Sequence, residues 1–465
     1  MGKREGPPVT DTTRDRAAII LAAGKGTRMK SDLPKVMHPV GGRPMVDWSI
    51  DLAREVGCSR IIVVVHPSQS VLIDHVKALL GEGCIAFQDP PQGTGHAVRC
   101  GEAALKGFAG DLVVLYGDSP LVPASAIEDL FAALGTGAAL GVLGFEAETP
   151  GLYGRLILSD DGDLDAIVEA REATPDQLAV TLCNSGVMAG DADTMFRLLG
   201  KVTNTNAKGE YYLTDLVGLA RAEGATCKAV QCGEEDLIGC DSKADLAEAE
   251  AIFQARRRTA AMDSGVTLVA PETVYFAHDT VLEADVVVEP NVVFGPGVHV
   301  HGGARIRAFS HIEGAEIASG CMVGPYARLR PGTVLETDVH IGNFVETKNT
   351  RMGKGAKASH LAYLGDGQIG ASVNIGAGTI FCNYDGFLKY ETKIGEGAFI
   401  GSNSALVAPV QIGKGAIVGS GSVVTKDVPA NALAVARGQL VQREGWAISF
   451  RTRKSAEKAG STQKD

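Results

Sequence analysis

The chain is predicted to carry two folds, an α/β domain with alternating strands and helices followed by a parallel β-helix. Three observations predict this. Aliphatic–glycine pairs fill the second half at a fixed period. Buried-type strand runs alternate with helical patterns in the first half. An Ala- and charge-rich stretch with few helix breakers lies between them. Gly324 and Gly342 are 18 residues apart, and the steps Gly370–Gly376, Gly395–Gly401 and Gly413–Gly419 are 6 each. A hexapeptide period marks a β-helix: one aliphatic side chain per six residues points inward and its small neighbour turns the corner. At 465 residues the chain exceeds one ordinary core.

Residues 1–16 are polar and read as a disordered arm. The α/β domain is placed at 17–241. Residues 17–23, AAIILAA, form a strand that enters a Gly24-Lys25-Gly26 loop. Further strands are read at Ile61–Val65 and Leu112–Tyr116, with helices at Met45–Val56 and Gln69–Leu80. This alternation predicts a mainly parallel sheet. Ligands of such sheets sit beyond the carboxyl ends of the strands, where Gly24 and Asp118 fall. Residues 242–264 read as one helix linking two self-sufficient cores. The β-helix is placed at 265–437. Its period breaks for 19 residues between Gly376 and Gly395, and the break holds Asn383-Tyr384-Asp385-Gly386. A loop extruded from the coils accounts for this, and such loops carry function because coils only stack. Residues 438–465 form a tail, of which Arg451–Asp465 is polar and expected to be disordered.

A formal net charge of −11 argues against a general nucleic-acid binder, which needs a basic face. The nine cysteines form no C-x-x-C pair, which suits reduced thiols in the cytoplasm and disfavours a zinc site built on them. No apolar run approaches the ~18 residues of a membrane span, and no apolar h-region opens the chain.

Residues 21–35 read LAAGKGTRMKSDLPK. Glycines directly after a strand let backbone N–H groups approach a phosphate. Arg28 and Lys35 add charge suited to a triphosphate. A tight turn with solvated basic residues would read the same way. Neither the P-loop nor the dinucleotide pattern is present. Further motifs follow in order: Gln88, Gly93-Thr94-Gly95-His96-Ala97, Tyr116-Gly117-Asp118, Tyr153-Gly154-Arg155, Glu169, Asn184-Ser185-Gly186 and Asn206-Ala207-Lys208-Gly209-Glu210-Tyr211-Tyr212. This set resembles sugar-1-phosphate nucleotidyltransferases. Joined to a hexapeptide β-helix, it resembles the bacterial bifunctional N-acetylglucosamine-1-phosphate uridyltransferase/glucosamine-1-phosphate acetyltransferases over roughly residues 17–450.

That resemblance implies a Rossmann-like nucleotidyltransferase domain, a linker helix and a left-handed parallel β-helix. Leu21, Ala22, Ala23, Gly24, Arg28 and Lys35 would hold the UTP nucleotide, and Gln88, Gly93 and Thr94 would read uracil and ribose. Tyr116, Gly117, Gly154, Glu169 and Asn184 would hold the amino sugar. Asp118 would bind Mg²⁺, which takes carboxylate oxygens together with substrate phosphates. A strand-end cap is the plain alternative for Asp118, and His96 reads as a residue opening a helix. Asp241 departs from the family, which usually has Asn in a Gly-x-Asn string. Here Gly239-Cys240-Asp241 makes it either a second metal ligand or the N-cap of the following helix.

In the β-helix the resemblance rests on Pro325–Gly332, Gly342-Asn343-Phe344-Val345-Glu346, Ser359–Tyr363, Asn374–Thr379 and Cys382–Gly386. It implies that His360 is the general base for acetyl transfer, since the attacking amine must be neutral and His titrates in the right range. Arg330, Lys348, Tyr363 and Asn374 would grip the sugar phosphate. Ala377, Asn383, Tyr384, Ser402, Ser420 and Arg437 would face acetyl-CoA, with Asn383 orienting the amine or the oxyanion. The implied assembly is a homotrimer with sites shared between chains, acting on small molecules, without nucleic acid or membrane, in the cytoplasm.

Two other readings compete. One is a single nucleotidyltransferase with a regulatory β-helix, as in ADP-glucose synthesis; His360 and the Asn383–Gly386 loop argue against it. The other is a non-catalytic oligomerisation scaffold; the intact Gly24, Gly26, Arg28, Lys35 and Asp118 argue against that.

Overall fold

The structure is a computed structural model that describes residues 14–461. Most of the expected N-terminal arm therefore lies outside the described residues. Arg14 already pairs with Asp111 at 2.7 Å and with Asp191, and the first strand starts at Arg16, one residue before the expected boundary. The chain divides into two compact units, up to Ala260 with Phe276–His278, and Ala261–Tyr275 with the chain from Asp279 onward.

The first unit is a sheet between two helical layers. Its strands are β1 (Arg16–Leu21), β2 (Cys58–Val65), β3 (Ile85–Phe87), β4 (Asp111–Tyr116), β5 (Leu140–Glu146), β6 (Arg155–Leu158), β7 (Leu164–Val168), β8 (Leu182–Asp191) and β9 (Cys227–Gln231). The order is β9-β5-β8-β4-β1-β2-β3, with β6 and β7 appended to β8. β1 reads as a continuous apolar run because both its faces are covered. Ala18 and Ile20 pack on one side with helices α1 (Met45–Glu55), α2 (Ser70–Leu80) and α4 (Ala124–Gly135). Ala17 and Ile19 pack on the other with α3 (Thr94–Cys100), α5 (Ala192–Leu199) and α6 (Asp215–Ala222).

The expectation of a mainly parallel sheet needs correction. β1, β2, β3 and β4 are parallel, as are β5 and β9, but β8 runs antiparallel to β4, β5 and β6. A hairpin-bearing strand has thus been inserted into the sheet, and no helical crossover signals its direction. The chain leaves β1 for β2 on one side and returns to β4 on the other. Between the carboxyl ends of β1 and β4 lies the switch point at which open α/β sheets bind ligands.

Helix α7 (Lys243–Asp263) is more than a linker. Ala249 and Phe253 are buried with Val40, Met45, Leu121 and Cys240, and Phe253 meets Trp48 edge-on at 5.5 Å. Gln254, only 2% exposed, donates to the Phe276 carbonyl at 2.7 Å and accepts from its N–H at 2.8 Å. Most of this helix belongs to the first core.

The second unit is a stack of coils made of short parallel strands, as the hexapeptide period requires. One inward ladder runs Leu268, Val288, Ile306, Val323, Ile341, Ala358, Ile375, Ile400, Val418, all buried. Corner hydroxyls close the turns by donating three residues back: Thr333 to Arg330, Thr379 to Gly376, and Ser404 to Gly401, at 2.6–2.7 Å. The ladder step from Ile375 to Ile400 is 25 residues, against 18 from Ile400 to Val418. The surplus leaves the stack as the Asn383–Tyr390 loop, closed by a Tyr384–Lys389 bridge.

The tail expectation is also corrected. Trp446–Ser461 forms helix α8, exposed along the side chains described. Polarity was the wrong guide, because Ala, Lys, Arg and Glu are good helix formers. Trp446 stacks on Phe450 at 5.1 Å, and Lys454 pairs with Glu457 at 2.6 Å. No described helix is long and apolar enough to cross a membrane.

Candidate functional sites

The first site is a cleft of about 490 Å³ at the switch point. Leu21, Ala22, Ala23, Gly24, Lys35, Gln88, Gly93, Thr94, Tyr116 and Asp118 all line it, while Arg28 of the sequence-predicted nucleotide set lines a neighbouring cleft with Asp241. Gly26 turns the loop at φ 58°, and a Cβ there would meet Cβ of Lys35 at 2.7 Å. Only glycine lets the loop close onto that lysine. Gly93, at φ 107°, abuts the Tyr211 carbonyl, where a Cβ would lie 2.6 Å away. The loop that follows Asn206 is thereby seated against the start of α3, and its Glu210 lines the cleft as well, a residue not chosen from the sequence. Gln88 is buried and donates to the Gly93 carbonyl at 2.9 Å and to His96 at 3.2 Å. His96 lies in the first turn of α3, in the structural setting expected for it.

Lys35 is the electrostatic centre. Its ammonium contacts Asp118 and also Asp241 at 2.8 Å, while Arg28 reaches Asp241 at 2.7 Å. Burial lowers the Lys35 pKa, but Asp118 and Asp241 outweigh it and hold the value above the ordinary lysine range. Burial likewise pushes Asp241 up, and Lys35 and Arg28 overcome this and hold it below the carboxylate range. Two carboxylates converging on one cation offer the hard oxygen donors that Mg²⁺ takes. The N-cap alternative for Asp241 fails on geometry. Ser242 Oγ accepts from the Asp245 N–H at 3.3 Å, and Asp245 accepts from the Ser242 and Asp241 N–H groups at 2.8 and 2.9 Å. That reciprocal pair caps α7, freeing the Asp241 side chain to face the cleft. The S-x-x-D spacing at 242–245 was legible in the sequence.

Tyr116, Gly154, Glu169 and Asn184 gather at the other end. A Cβ on Gly154 would touch Asn184 at 3.6 Å and Glu169 at 3.7 Å, and one on Gly186 would strike the Tyr116 ring at 2.8 Å. Burial, then Asp118 and Glu169, push the Tyr116 hydroxyl well above its usual range. Gly117 N–H is tied to the Leu21 carbonyl at 3.0 Å. Arg155 is buried and donates to the Tyr153, Pro150 and Gly151 carbonyls, which makes it a support for the Gly154 turn.

The second site lies on the coils. The register aligns Asn343, His360, Ala377, Ser402 and Ser420 at one corner of five consecutive coils. Arg437 donates to the Ser420 carbonyl at 2.7 Å and ends the row. His360 Nδ1 and the Asn343 side-chain oxygen are 2.5 Å apart, so Asn343 orients the ring. This partner was not chosen from the sequence, because no local spacing links residues one coil apart.

A second group stands nearby in the coil order. Lys348 pairs in register with Gly365, and a Cβ there would meet Tyr363 Oη at 2.5 Å and Asn383 Nδ2 at 2.7 Å. Asn383 donates to Asp366 at 2.6 Å, and Arg330 pairs with Glu346 at 2.9 Å. Lys389 from the extruded loop lies beside the Lys348 ammonium, and this proximity pulls the Lys348 pKa below the usual lysine range. Two adjacent ammonium groups are suited to bind an anion. Asn374 sits one strand before the Ala377 corner, paired with Lys357 and Phe399. Tyr384 is exposed and turned back on its own loop, its hydroxyl donating to Gly386. Tyr384 adjoins the lysine group only through its backbone bridge to Lys389.

These two sites define a nucleotidyltransferase unit joined to a hexapeptide transferase unit. Residues 18–180 match the MobA-like NTP transferase domain, and residues 391–426 the bacterial transferase hexapeptide (six repeats). The chain belongs to the family of bifunctional GlmU proteins. It is 74% identical to the Bifunctional protein GlmU of Hyphomonas neptunium over 98% of both chains. Identity is 53% to that of Sphingopyxis alaskensis, over 96% of this chain and 99% of the relative, and 51% to that of a Ruegeria species over the same shares. The protein is therefore a transferase with two activities, nucleotidyl transfer and acetyl transfer.

Proposed function

We propose that the second unit acetylates glucosamine-1-phosphate with acetyl-CoA, and that the first couples the product to UTP, releasing UDP-N-acetylglucosamine and pyrophosphate. The observation that carries the pair is the row from His360 to Arg437 beside the Lys348–Lys389 cations. A β-helix used only for regulation needs neither.

In the first unit, backbone around Gly24 receives the triphosphate, and Lys35 and Arg28 neutralise it. Asp118 and Asp241 would hold Mg²⁺, which would supply charge neutralisation for the phosphates. Tyr116, Glu169 and Asn184 position the amino sugar. In the second unit, Lys348, Lys389, Arg330 and Tyr363 grip the sugar phosphate. His360, oriented by Asn343, takes a proton from the amine as its nitrogen attacks the thioester carbonyl. Asn383 orients the amine or donates to the oxyanion, the C–S bond breaks to release the coenzyme as its thiol, and Ala377, Ser402, Ser420 and Arg437 line the path of the coenzyme.

The working particle is a homotrimer. Phe309, Tyr326, Phe344 and Leu361 stand half-exposed at one corner in left-handed backbone, at φ 50–60°. The first three rings stack at 4.9 and 5.3 Å. Exposing bulky side chains from a strained corner is sensible only if another copy covers them. Phe387 of the loop, 90% exposed, adds to this surface. All nine cysteines are free thiols, which suits a reducing cytoplasm.

The test supplies purified protein with glucosamine-1-phosphate, acetyl-CoA, UTP and Mg²⁺, with thiol and pyrophosphate both followed. Both signals are expected, pyrophosphate depending on prior thiol release. Pyrophosphate from added N-acetylglucosamine-1-phosphate without any thiol release from glucosamine-1-phosphate returns the regulatory reading.

A further inference from the structure

The outer face of the second unit carries a histidine–carboxylate cluster that neither transferase site uses. His299 opens the strand His299–Val300 and His301 follows directly after it, the two flanking the buried Val300. Glu283 lies on the preceding coil, where its N–H bonds the Val300 carbonyl, and Glu316 pairs with His299 from the following coil. The two imidazoles lie close together, with centroids 4.1 Å apart and planes tilted by 33°.

The contacts are ordered by nitrogen. Glu283 Oε1 is 2.9 Å from His301 Nδ1 and 3.3 Å from His299 Nε2. Glu316 Oε1 contacts the opposite nitrogens, His301 Nε2 and, at 3.5 Å, His299 Nδ1. With a cation between Glu283 and the rings, Glu316 would accept one ring N–H from each histidine, and the opposite nitrogens would carry the lone pairs that bind it. Metal-binding histidines are held in this way, by a carboxylate behind the ring. One ligand atom each from Glu283, His299 and His301 lies within 4.8 Å of the others. Three such ligands on one side make a catalytic-type, open zinc face, completed by water.

We propose that Glu283, His299 and His301 bind one borderline divalent cation, of which Zn²⁺ is the type, with Glu316 as the positioning carboxylate. The donor set separates this site from the cleft of the first unit. Imidazole suits Zn²⁺, Co²⁺ and Ni²⁺, whereas carboxylates with phosphates suit Mg²⁺. The cluster joins three neighbouring coils, so its ligand fastens that part of the stack. Without the cation the same four groups make histidine–glutamate ion pairs, and the test must separate the two states.

Chelator-treated full-length protein is titrated with Zn²⁺ by calorimetry in excess Mg²⁺, which leaves hard-oxygen sites occupied. One Zn²⁺ per chain is expected, with a rise in the melting temperature of the second unit. His301→Ala and His299→Ala should each weaken binding at least tenfold. Glu316→Gln should weaken it about 10–100-fold, as loss of a positioning carboxylate does. Titration with Co²⁺ should give visible d–d bands without thiolate charge transfer, since the nine cysteines are outside the cluster. Each variant is melted without metal to show that it is folded. Glu283→Gln, which keeps the side chain's shape, serves in place of any histidine variant that is not. No heat above the dilution control, the parental isotherm in the variants, or thiolate bands with Co²⁺ would each overturn the site.

Discussion

The two candidate sites set their lysines in opposite charge arrangements. In the first unit Lys35 is already neutralised by Asp118 and Asp241. In the second, Lys348 and Lys389 lie side by side, with Asp366 the nearest opposing charge among the influences on Lys348. The first arrangement suits chemistry in which a metal ion shares the charge of a triphosphate. The second suits a phosphate that is only held and never broken. The contrast shows that counting basic residues does not distinguish a phosphoryl-transfer site from a phosphate handle. The neighbouring carboxylates do.

The largest effect should come from His360. His360→Ala is expected to cut thiol release by about 10²–10⁴-fold, while pyrophosphate release from N-acetylglucosamine-1-phosphate stays at the parental rate. Acetyl transfer within threefold of the parent removes the residue from the mechanism. Next in size, Lys389→Met should raise KM for glucosamine-1-phosphate by about 10–100-fold, the loss of a charge-assisted bond, with kcat little changed. An unchanged KM would mean that the cation pair is an accident of the loop.

The metal side of the contrast is sharper still in its pattern. Asp241→Asn should keep uridyl transfer but need severalfold more Mg²⁺ for half-saturation, since Mg²⁺ favours anionic oxygens. Asp241→Ala should lose most of it. Because Ser242 and Asp245 cap α7 without the Asp241 side chain, neither variant should melt appreciably lower. A lower melting temperature with the parent's Mg²⁺ dependence would restore the capping role.

The smallest effect is a shift in a pH profile. Lys389 depresses the Lys348 pKa, so Lys348 loses its proton, and the phosphate its partner, at lower pH than an ordinary lysine would. KM for the sugar phosphate should therefore rise on the alkaline side. In Lys389→Met that rise should move to higher pH. A limb that stays in place would show that Lys348 does not feel its neighbour.

Much of this was legible because the signals were local. The aliphatic–glycine pairs marked Val323, Ile341, Ile375, Ile400 and Val418 of the inward ladder, and the motif order named almost every residue lining the switch-point cleft. What escaped was non-local. Asn343 reaches His360 only because a coil returns after 17 residues. The antiparallel course of β8 leaves no mark in its own residues. Asp241 could be told from a cap only once Ser242 and Asp245 were seen to bond each other. Helix α7 read as a connector because its charged face dominates the composition. Phe253 and Gln254, which tie it to the first core, are single residues in that stretch. A fragment ending at residue 250 would cut through this packing, and a uridyltransferase fragment should extend to residue 278. The polar tail was misjudged for the same reason, composition having been read without propensity.

The register of the coils has a consequence for how the second unit can change over time. In the α/β unit an extra residue in a loop is absorbed where it falls. In the stack every residue has an address, counted in steps of 17 or 18 along the ladder from Val288 to Ile375, and a single insertion within a strand moves every later aliphatic residue out of the interior. The unit therefore reads its sequence in frame, much as a gene does. Whole coils can be gained or lost, and a corner can bud outward, as the surplus between Ile375 and Ile400 has done. Lys389 reaches Lys348 from that outward bud.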